Sequence, residues 1–443
     1  MKGHVVKPTE FQMSTETKLN RIAWLSSRDD DKVFDNLMHL FNKESLRGCF
    51  SELDGRKAVG IDGIDKDAYG AELDRNLEDL LERMKKMAYR PGPVRQVLIP
   101  KEGKPGATRP LGIGNLEDKM VQMMTQKVLE SIYEPLFYEC SYGFRPGRGC
   151  HDAIKALNQH LYHNEIQTVI DVDLANYFGS INHKELETIL RLKIKDERFI
   201  RYLIRMFKAG VLTQSELTVS DEGVPQGSPC SPVLANIFAH YVIDVWFMKV
   251  VKQHCKGRVE LFRYCDDVVI CCQLEYDANR ITQALGKRLE RFGLKLNELK
   301  TKLVSFSKQE MRSGKKQGTF DFLGFTFYLG KARKGFIVPK LKTCGKRFRS
   351  KLKKIGAWAR SVKDRFDLKE IWRRFCSKMM GHIRYYGVSN NGKWLSQFRN
   401  HAVLIMFKWL NRRSQRKSFN WEKFKLFLEA FPPPKVRIYH TLF

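Results

Sequence analysis

The chain has 443 residues, enough for two or three domains, and 79 Lys and Arg against 49 Asp and Glu give it a formal net charge of +30. Its ten cysteines include no Cys-x-x-Cys pair and no Cys/His ladder at zinc spacing, which argues against a zinc module and for reduced thiols. No apolar run approaches the roughly 20 residues of a membrane span, and residues 1–27 carry acids without an apolar signal core. The expected setting is therefore the cytoplasm, with no membrane partner.

Residues 1–20 are polar, and little order is expected there. Between residues 30 and 88, helix-period segments alternate with the loop Gly60-Ile61-Asp62-Gly63. Leu98-Ile99-Pro100-Lys101 and Thr108-Arg109-Pro110-Leu111-Gly112-Ile113 flank a Gly/Pro-rich stretch, which predicts strand, loop, strand. Asn115, with Asp118 three residues on, predicts a capped helix whose apolar stripe is Val121, Met124, Val128, Ile132 and Leu136. Gln167 to Leu174 alternates as a β-branched strand with Ile170, Val172 and Leu174 on one face and Asp171 and Asp173 on the other. Ile200, Leu203, Ile204 and Phe207 fall at helical spacing before Gly210, and a long helix follows Pro232. Two apolar strands then flank Tyr264-Cys265-Asp266-Asp267, a helix runs from Ala278 to Phe292 with Gly293 as its stop, and a charged loop over 307–318 precedes Phe320-Asp321-Phe322. This order predicts an α+β fold, with helices on one face of an antiparallel sheet and carboxylates on the other.

From Lys340 onward the pattern is helical and strongly basic: 27 Lys and Arg stand against 5 acids, so the preceding 339 residues carry only +8 of the net charge. Trp358, Trp372, Tyr385, Tyr386, Trp394, Trp409 and Trp421 interleave those cations. Cations alternating with rings suit RNA, whose phosphates meet charge while bases stack, although most of these rings are expected in a helical core.

Asp266 and Asp267 lie between buried strands, where adjacent carboxylates repel unless a cation joins them. An isolated Asp-Asp is ordinarily a solvated hairpin tip; this pair has a companion in Asp173, 93 residues before Asp266, on the polar side of its own strand. Three carboxylates around two Mg²⁺ ions form the arrangement of phosphoryl-transfer chemistry. Asp171 is read as a supporting carboxylate, not a ligand.

The ordered motifs resemble the reverse transcriptases encoded by mobile group II introns, from about residue 20 to the end. Ala58-Val59-Gly60-Ile61-Asp62-Gly63, the two segments around Lys101 and Arg109, Ser141-Tyr142-Gly143-Phe144-Arg145-Pro146-Gly147-Arg148, Asp173-Leu174-Ala175-Asn176-Tyr177-Phe178, Gly223-Val224-Pro225-Gln226-Gly227-Ser228, the Tyr-x-Asp-Asp turn, Leu296-Asn297-Glu298-Leu299-Lys300-Thr301 and Phe322-Leu323-Gly324-Phe325 appear in family order. The resemblance implies a right-hand polymerase: an N-terminal extension and start of the fingers over 1–80, fingers and palm over 81–335, and an all-helical thumb or maturase domain over 340–443. It implies Asp173, Asp266 and Asp267 as catalytic metal ligands with the Leu174 carbonyl, Mg²⁺ as cofactor with Mn²⁺ as a substitute, and nucleotide contacts from Lys101, Arg109, Phe178, Gln226 and Lys300. Phe178 would crowd a 2′-hydroxyl. Arg145, Arg148, Gly227, Arg384, Tyr385, Arg412 and Arg413 are the expected RNA or template contacts, and His382 is expected in packing or at RNA.

The implied partners are the group II intron RNA, an RNA template–DNA primer duplex, deoxynucleoside triphosphates and target DNA; association into a homodimer is open. Gly179 departs from the Asp that many relatives carry after the two aromatics, and Cys265 from the more frequent Ala. With the chain ending at Phe443, no zinc-bearing endonuclease is expected. Two alternatives stand beside an active polymerase that assists splicing and mobility: a splicing maturase with a vestigial polymerase, and a domesticated relative in defence or DNA repair.

Overall fold

The computed structural model describes residues 13–100, 106, 108–213, 216–218, 220–224, 227–413 and 419–442. Its strands in chain order are β1 (Val94–Pro100), β2 (Thr108–Ile113), β3 (Thr168–Asp173), β4 (Val211–Thr213), β5 (Glu216–Thr218), β6 (Val259–Tyr264), β7 (Asp267–Cys272), β8 (Lys302–Ser305), β9 (Phe320–Phe322), β10 (Phe325–Lys331) and β11 (Ile337–Thr343). They form three sheets of order β2-β1-β4-β5, β6-β7-β3-β8 and β11-β10-β9.

The central sheet is antiparallel throughout, and its register sets Ile170 opposite Ile270 and Asp173 opposite Asp267. As the alternation predicts, Ile170, Val172 and Leu174 sink into the main core, with side chains from helices Leu116–Tyr133, Ser231–Ala239 and Glu275–Arg291. The opposite face is not simply polar. Val169, Val269 and Cys271 enter a second core with Ala153, Ile154 and Leu157 of helix Cys150–His163 and with the phenylalanines of β9 and β10. The expectation of helices on one face and carboxylates on the other is therefore corrected: both faces are covered, and the carboxylates gather at one end, where β3 meets the β6–β7 turn.

Three local expectations also change. Residues 15–20 are ordered, because Ser14 caps helix Thr15–Arg28 and Ser26 donates to the Ile132 carbonyl at 2.5 Å. Asn115 makes no side-chain cap; its Oδ1 accepts from the Ile61 amide at 3.1 Å, while Asp118 accepts from the Tyr89 hydroxyl at 2.5 Å and the Gly92 amide at 3.0 Å. Tertiary partners claim both polar groups that local spacing assigned to a capping pair. Ser231–His254, 24 residues with mean hydropathy 1.4, is long and apolar enough to cross a membrane, contrary to expectation, but 67% of its apolar window is buried inside the protein. It passes through two π-helical turns, His240–Asp244 and Phe247–Val251.

Strand β11 runs across the expected boundary near 340 before helices Gly345–Val362, Leu368–Tyr386, Gly392–Leu410 and Trp421–Ala430, which close on a third core around Phe375, Phe398 and Phe424. Residues 432–442 return to the second core, where Leu442 is buried. All ten cysteines are free thiols.

Candidate active site

Because Tyr264 pairs with Asp267, only Cys265 and Asp266 connect β6 to β7. Cys265 adopts φ +58°, a left-handed conformation that costs a residue with a side chain of order 1 kcal/mol. The surroundings impose it. A Cβ on Gly143 would lie 2.5 Å from the Cys265 amide nitrogen, so the 141–148 loop presses directly on the turn.

Beneath the turn lies Arg263, fully buried with all three guanidinium nitrogens engaged. Nε and Nη2 donate to the two oxygens of Asp244 at 2.7 and 2.5 Å, Nη2 also to Ser141 Oγ at 2.7 Å, and Nη1 to Asn236 Oδ1 at 3.0 Å and the Cys265 carbonyl at 3.3 Å. Burial opposes the Asp244 charge, but Arg263 and His240 outweigh it and hold that carboxyl below its ordinary range.

Asp173 and Asp267 are direct cross-strand partners, a position that sets Cα atoms about 5 Å apart. Like charges so placed destabilise a sheet. Asp267 is open to solvent on one side and crowded on the others; that crowding, then Asp266 and more weakly Asp173, pushes its carboxyl up to about 6 against the pull of Arg347. Burial first, then Asp321 and Asp267, pushes Asp171 up to about 7. Asp173 has found a cation of its own: Lys300 Nζ lies 2.8 and 3.0 Å from its two oxygens.

Among the described residues no three acidic, His or Cys side chains stand close enough together to hold an ion as they are arranged. The backbone nevertheless gathers hard oxygen donors at one sheet end, raises the carboxyl beside them, and draws an ammonium onto Asp173. Those features fit a divalent cation.

A cavity of about 340 Å³ lies between Gln96, Pro110 and Gly112 of the first sheet and the segments holding Asn176, Gly179 and Gly223. Phe178 lies in the 3₁₀ turn Tyr177–Gly179, half-buried against the main core, and its carbonyl accepts from the Val224 amide at 2.9 Å. A Cβ on Gly179 would meet the Asn176 side chain within 3 Å, and Gly223 packs on the Gly179 backbone. A side chain at position 179 would thus have to displace the Asn176 amide.

The remaining expected residues divide. Arg109 is exposed on β2, opposite Ile99. Leu174 is buried and bridges to Leu296. Lys101 and Gln226 lie outside the described residues. Arg145, expected at the template, is corrected: its side chain is 4% exposed, paired with Glu134 and donating to the Tyr138 and Ser141 carbonyls at 2.9 Å. Arg148 pairs with Glu139. A Cβ on Gly227 would lie 2.5 Å from the Gly112 carbonyl oxygen, so this glycine, at φ +110°, serves close backbone packing. Tyr385 donates to the Leu323 carbonyl at 2.8 Å and so braces that turn. Arg384 and Arg412 are exposed, whereas Arg413 donates to the Phe366 carbonyl at 3.1 Å. His382 packs on Phe398.

Sequence reasoning missed Arg263, Asp244 and Asn236. A usable signal existed: one Arg inside an apolar strand, with Asn and Asp eight residues apart on an apolar helix. Charges in such runs need partners.

Residues 99–327 match the family model described as reverse transcriptase (RNA-dependent DNA polymerase). The group II intron-encoded protein LtrA of Lactococcus lactis subsp. cremoris is 33% identical over 223 residues, covering 50% of this chain and 37% of that protein. Protein YkfC of Escherichia coli K12 is 38% identical over 186 residues, 41% of this chain and 48% of its own. An uncharacterized 91 kDa protein in the cob intron of Schizosaccharomyces pombe is 34% identical over 230 residues, covering 50% of this chain and 28% of that protein. The matched stretch thus spans less than half of each relative.

Proposed function

The chain belongs to the reverse transcriptase family, and from that premise we propose that it is an RNA-directed DNA polymerase of the group II intron type, which also binds its intron RNA to assist splicing and mobility. The observation that carries the proposal is the cross-strand pairing of Asp173 with Asp267, with Lys300 already neutralising Asp173. In this reading the central sheet is the palm, β1 and β2 belong to the fingers, and the helices after Thr343 form the thumb.

Asp173, Asp266 and Asp267, with the Leu174 carbonyl, would hold two Mg²⁺ ions, for which Mn²⁺ substitutes. Such ions would supply Lewis acidity at an attacking hydroxyl and at a leaving phosphate oxygen. The protein's own groups do the rest. Lys300 occupies the place beside Asp173 until a cation replaces it. Lys101 and Arg109 neutralise the triphosphate, Arg as a planar fork and Lys as a point charge. Phe178 crowds the sugar position, so that a 2′-hydroxyl is disfavoured. Arg263 holds the Cys265 carbonyl and thereby the angle at which the turn presents Asp266. Exposed Arg384 and Arg412, on a module with a surplus of cations, suit the phosphates of intron RNA and of target DNA.

The test is extension of a DNA primer on an RNA template by purified protein with Mg²⁺ and deoxynucleotides. Asp266→Ala should abolish synthesis; retained synthesis would overturn the site. Intron splicing by the same Asp266→Ala protein measures the RNA-folding role apart from polymerisation.

A further inference from the structure

A cavity of about 640 Å³ separates the Leu323-Gly324 turn from helices Gly345–Val362 and Leu368–Tyr386. Its rim and floor differ in chemistry. Arg347, Lys351, Lys354 and Lys378 bring positive charge to it. Ile355, Trp358, Tyr385 and His382 supply apolar and planar surface.

His382 is 8% exposed, stacks on Phe398 with ring centroids 3.6 Å apart, and has no hydrogen-bond partner on either ring nitrogen among the described residues. Burial, then Lys351, lowers it to about 3, so that wall is neutral at ordinary pH. Lys378 lies over one face of the Trp358 ring, 5.2 Å from its centre, so a cation already borders the aromatic surface. The cavity lies toward the carboxylate end of the central sheet: Tyr385 on its wall and Tyr264 of the acidic turn pack on the same second core, and Arg347, which also lines it, pulls on Asp267.

We propose that this cavity receives one unpaired nucleotide extruded from the primer strand near its 3′ end, its phosphate on the lysine and arginine rim and its base on the Trp358–Tyr385 floor. The proposal rests on the polymerase reading and names a ligand that the reading does not require. A paired backbone would satisfy the cations and leave the aromatic hollow beneath it empty. A free phosphate has no use for the floor, and an uncharged ring none for the rim. A nucleotide out of the stack has both parts. Stacking on a side chain is weaker than the combined cost of breaking a base pair and its stack, so the cavity selects a base already unpaired and leaves a matched duplex alone.

Gly381 supplies the test. It lies on helix Leu368–Tyr386 and lines the cavity, and a Cβ there meets no atom within 4 Å. Gly381→Leu therefore adds its Cβ without a clash, carries the rest of its side chain at the cavity wall, and replaces a poor helix former with a good one. The full chain with Mg²⁺ is titrated with a paired DNA primer–RNA template, and with the same duplex carrying one extra fluorescent adenine analogue in the primer at successive positions behind the 3′ end.

The expected result is quenching of the analogue at one register, with affinity for that bulged duplex about tenfold lower in Gly381→Leu and the quenching lost, while binding and extension of the paired duplex are unchanged. Equal weakening of both duplexes, no effect on either, or equal affinity for an abasic bulge would overturn the proposal. Extension of the paired duplex reports separately on the polymerase, so failure of that reading leaves the quenching result interpretable.

Discussion

Arg263 and Asp244 are each 0% exposed, so removing either strands the other in the interior. Arg263→Met leaves Asp244 with only the His240 ring, Nδ1 at 3.8 Å, beside it, and deprives Asn236, Ser141 and the Cys265 carbonyl of their donor. Breaking a buried pair in this way costs about 3–5 kcal/mol, a large part of the roughly 5–15 kcal/mol that holds a protein folded. Arg263→Met combined with Asp244→Leu removes both charges together, and such exchanges are often near neutral. We expect the double variant to recover most of the loss, to within about 2 kcal/mol of the native chain, because the stranded acceptors still cost something. Urea unfolding followed by circular dichroism measures this. Primer extension should not recover, because the turn has lost the donor to Cys265 and a misplacement of about 1 Å at reacting groups costs on the order of 100-fold. A single variant as stable as the native chain would refute the energetic reasoning. A double variant extending primers at the native rate would refute the positioning role.

Gly143→Ala places a methyl 2.5 Å from the Cys265 amide nitrogen; it should destabilise by about 1–3 kcal/mol and depress extension, and unchanged unfolding and extension would contradict the packing described. Burial lifts Asp118 from 3.8 to about 6, so between those values the folded chain binds more protons than the unfolded one and stability falls as pH rises, by at most about 3 kcal/mol once pH exceeds the folded value. Asp118→Asn should flatten that fall in urea midpoints measured from pH 4 to 7. If the slope persists, another group causes it. Phe178→Ala should raise incorporation of ribonucleotides relative to deoxynucleotides by at least about tenfold in single-nucleotide extension, and unaltered discrimination would remove Phe178 from the sugar site.

Much of the site was legible because it is written in short periods. Alternation over 167–174 placed Asp173 on the carboxylate-bearing side of its strand, two apolar runs around Asp266-Asp267 implied a hairpin, and Gly293, at φ +75°, closed the helix it follows, whereas the helix before Gly210 already ends at Phe207. What was not legible depends on partners far along the chain. Arg263 meets Asp244 and Ser141 at separations of 19 and 122 residues, Arg145 is consumed by Glu134, and Asn115 turns to Ile61 instead of capping its own helix. An exposed arginine and a buried one look alike in sequence, since only the acceptors around them differ. The same contrast separates the acidic turn from an ordinary hairpin tip. A left-handed Cys265, opposed Asp173 and Asp267 carboxylates, and a buried guanidinium each cost stability, and no structural hairpin needs any of them. Their coincidence around one four-residue segment means that the fold spends stability to hold negative charge at a fixed angle. Lys300, already seated on Asp173, indicates the sign of what that charge is held for.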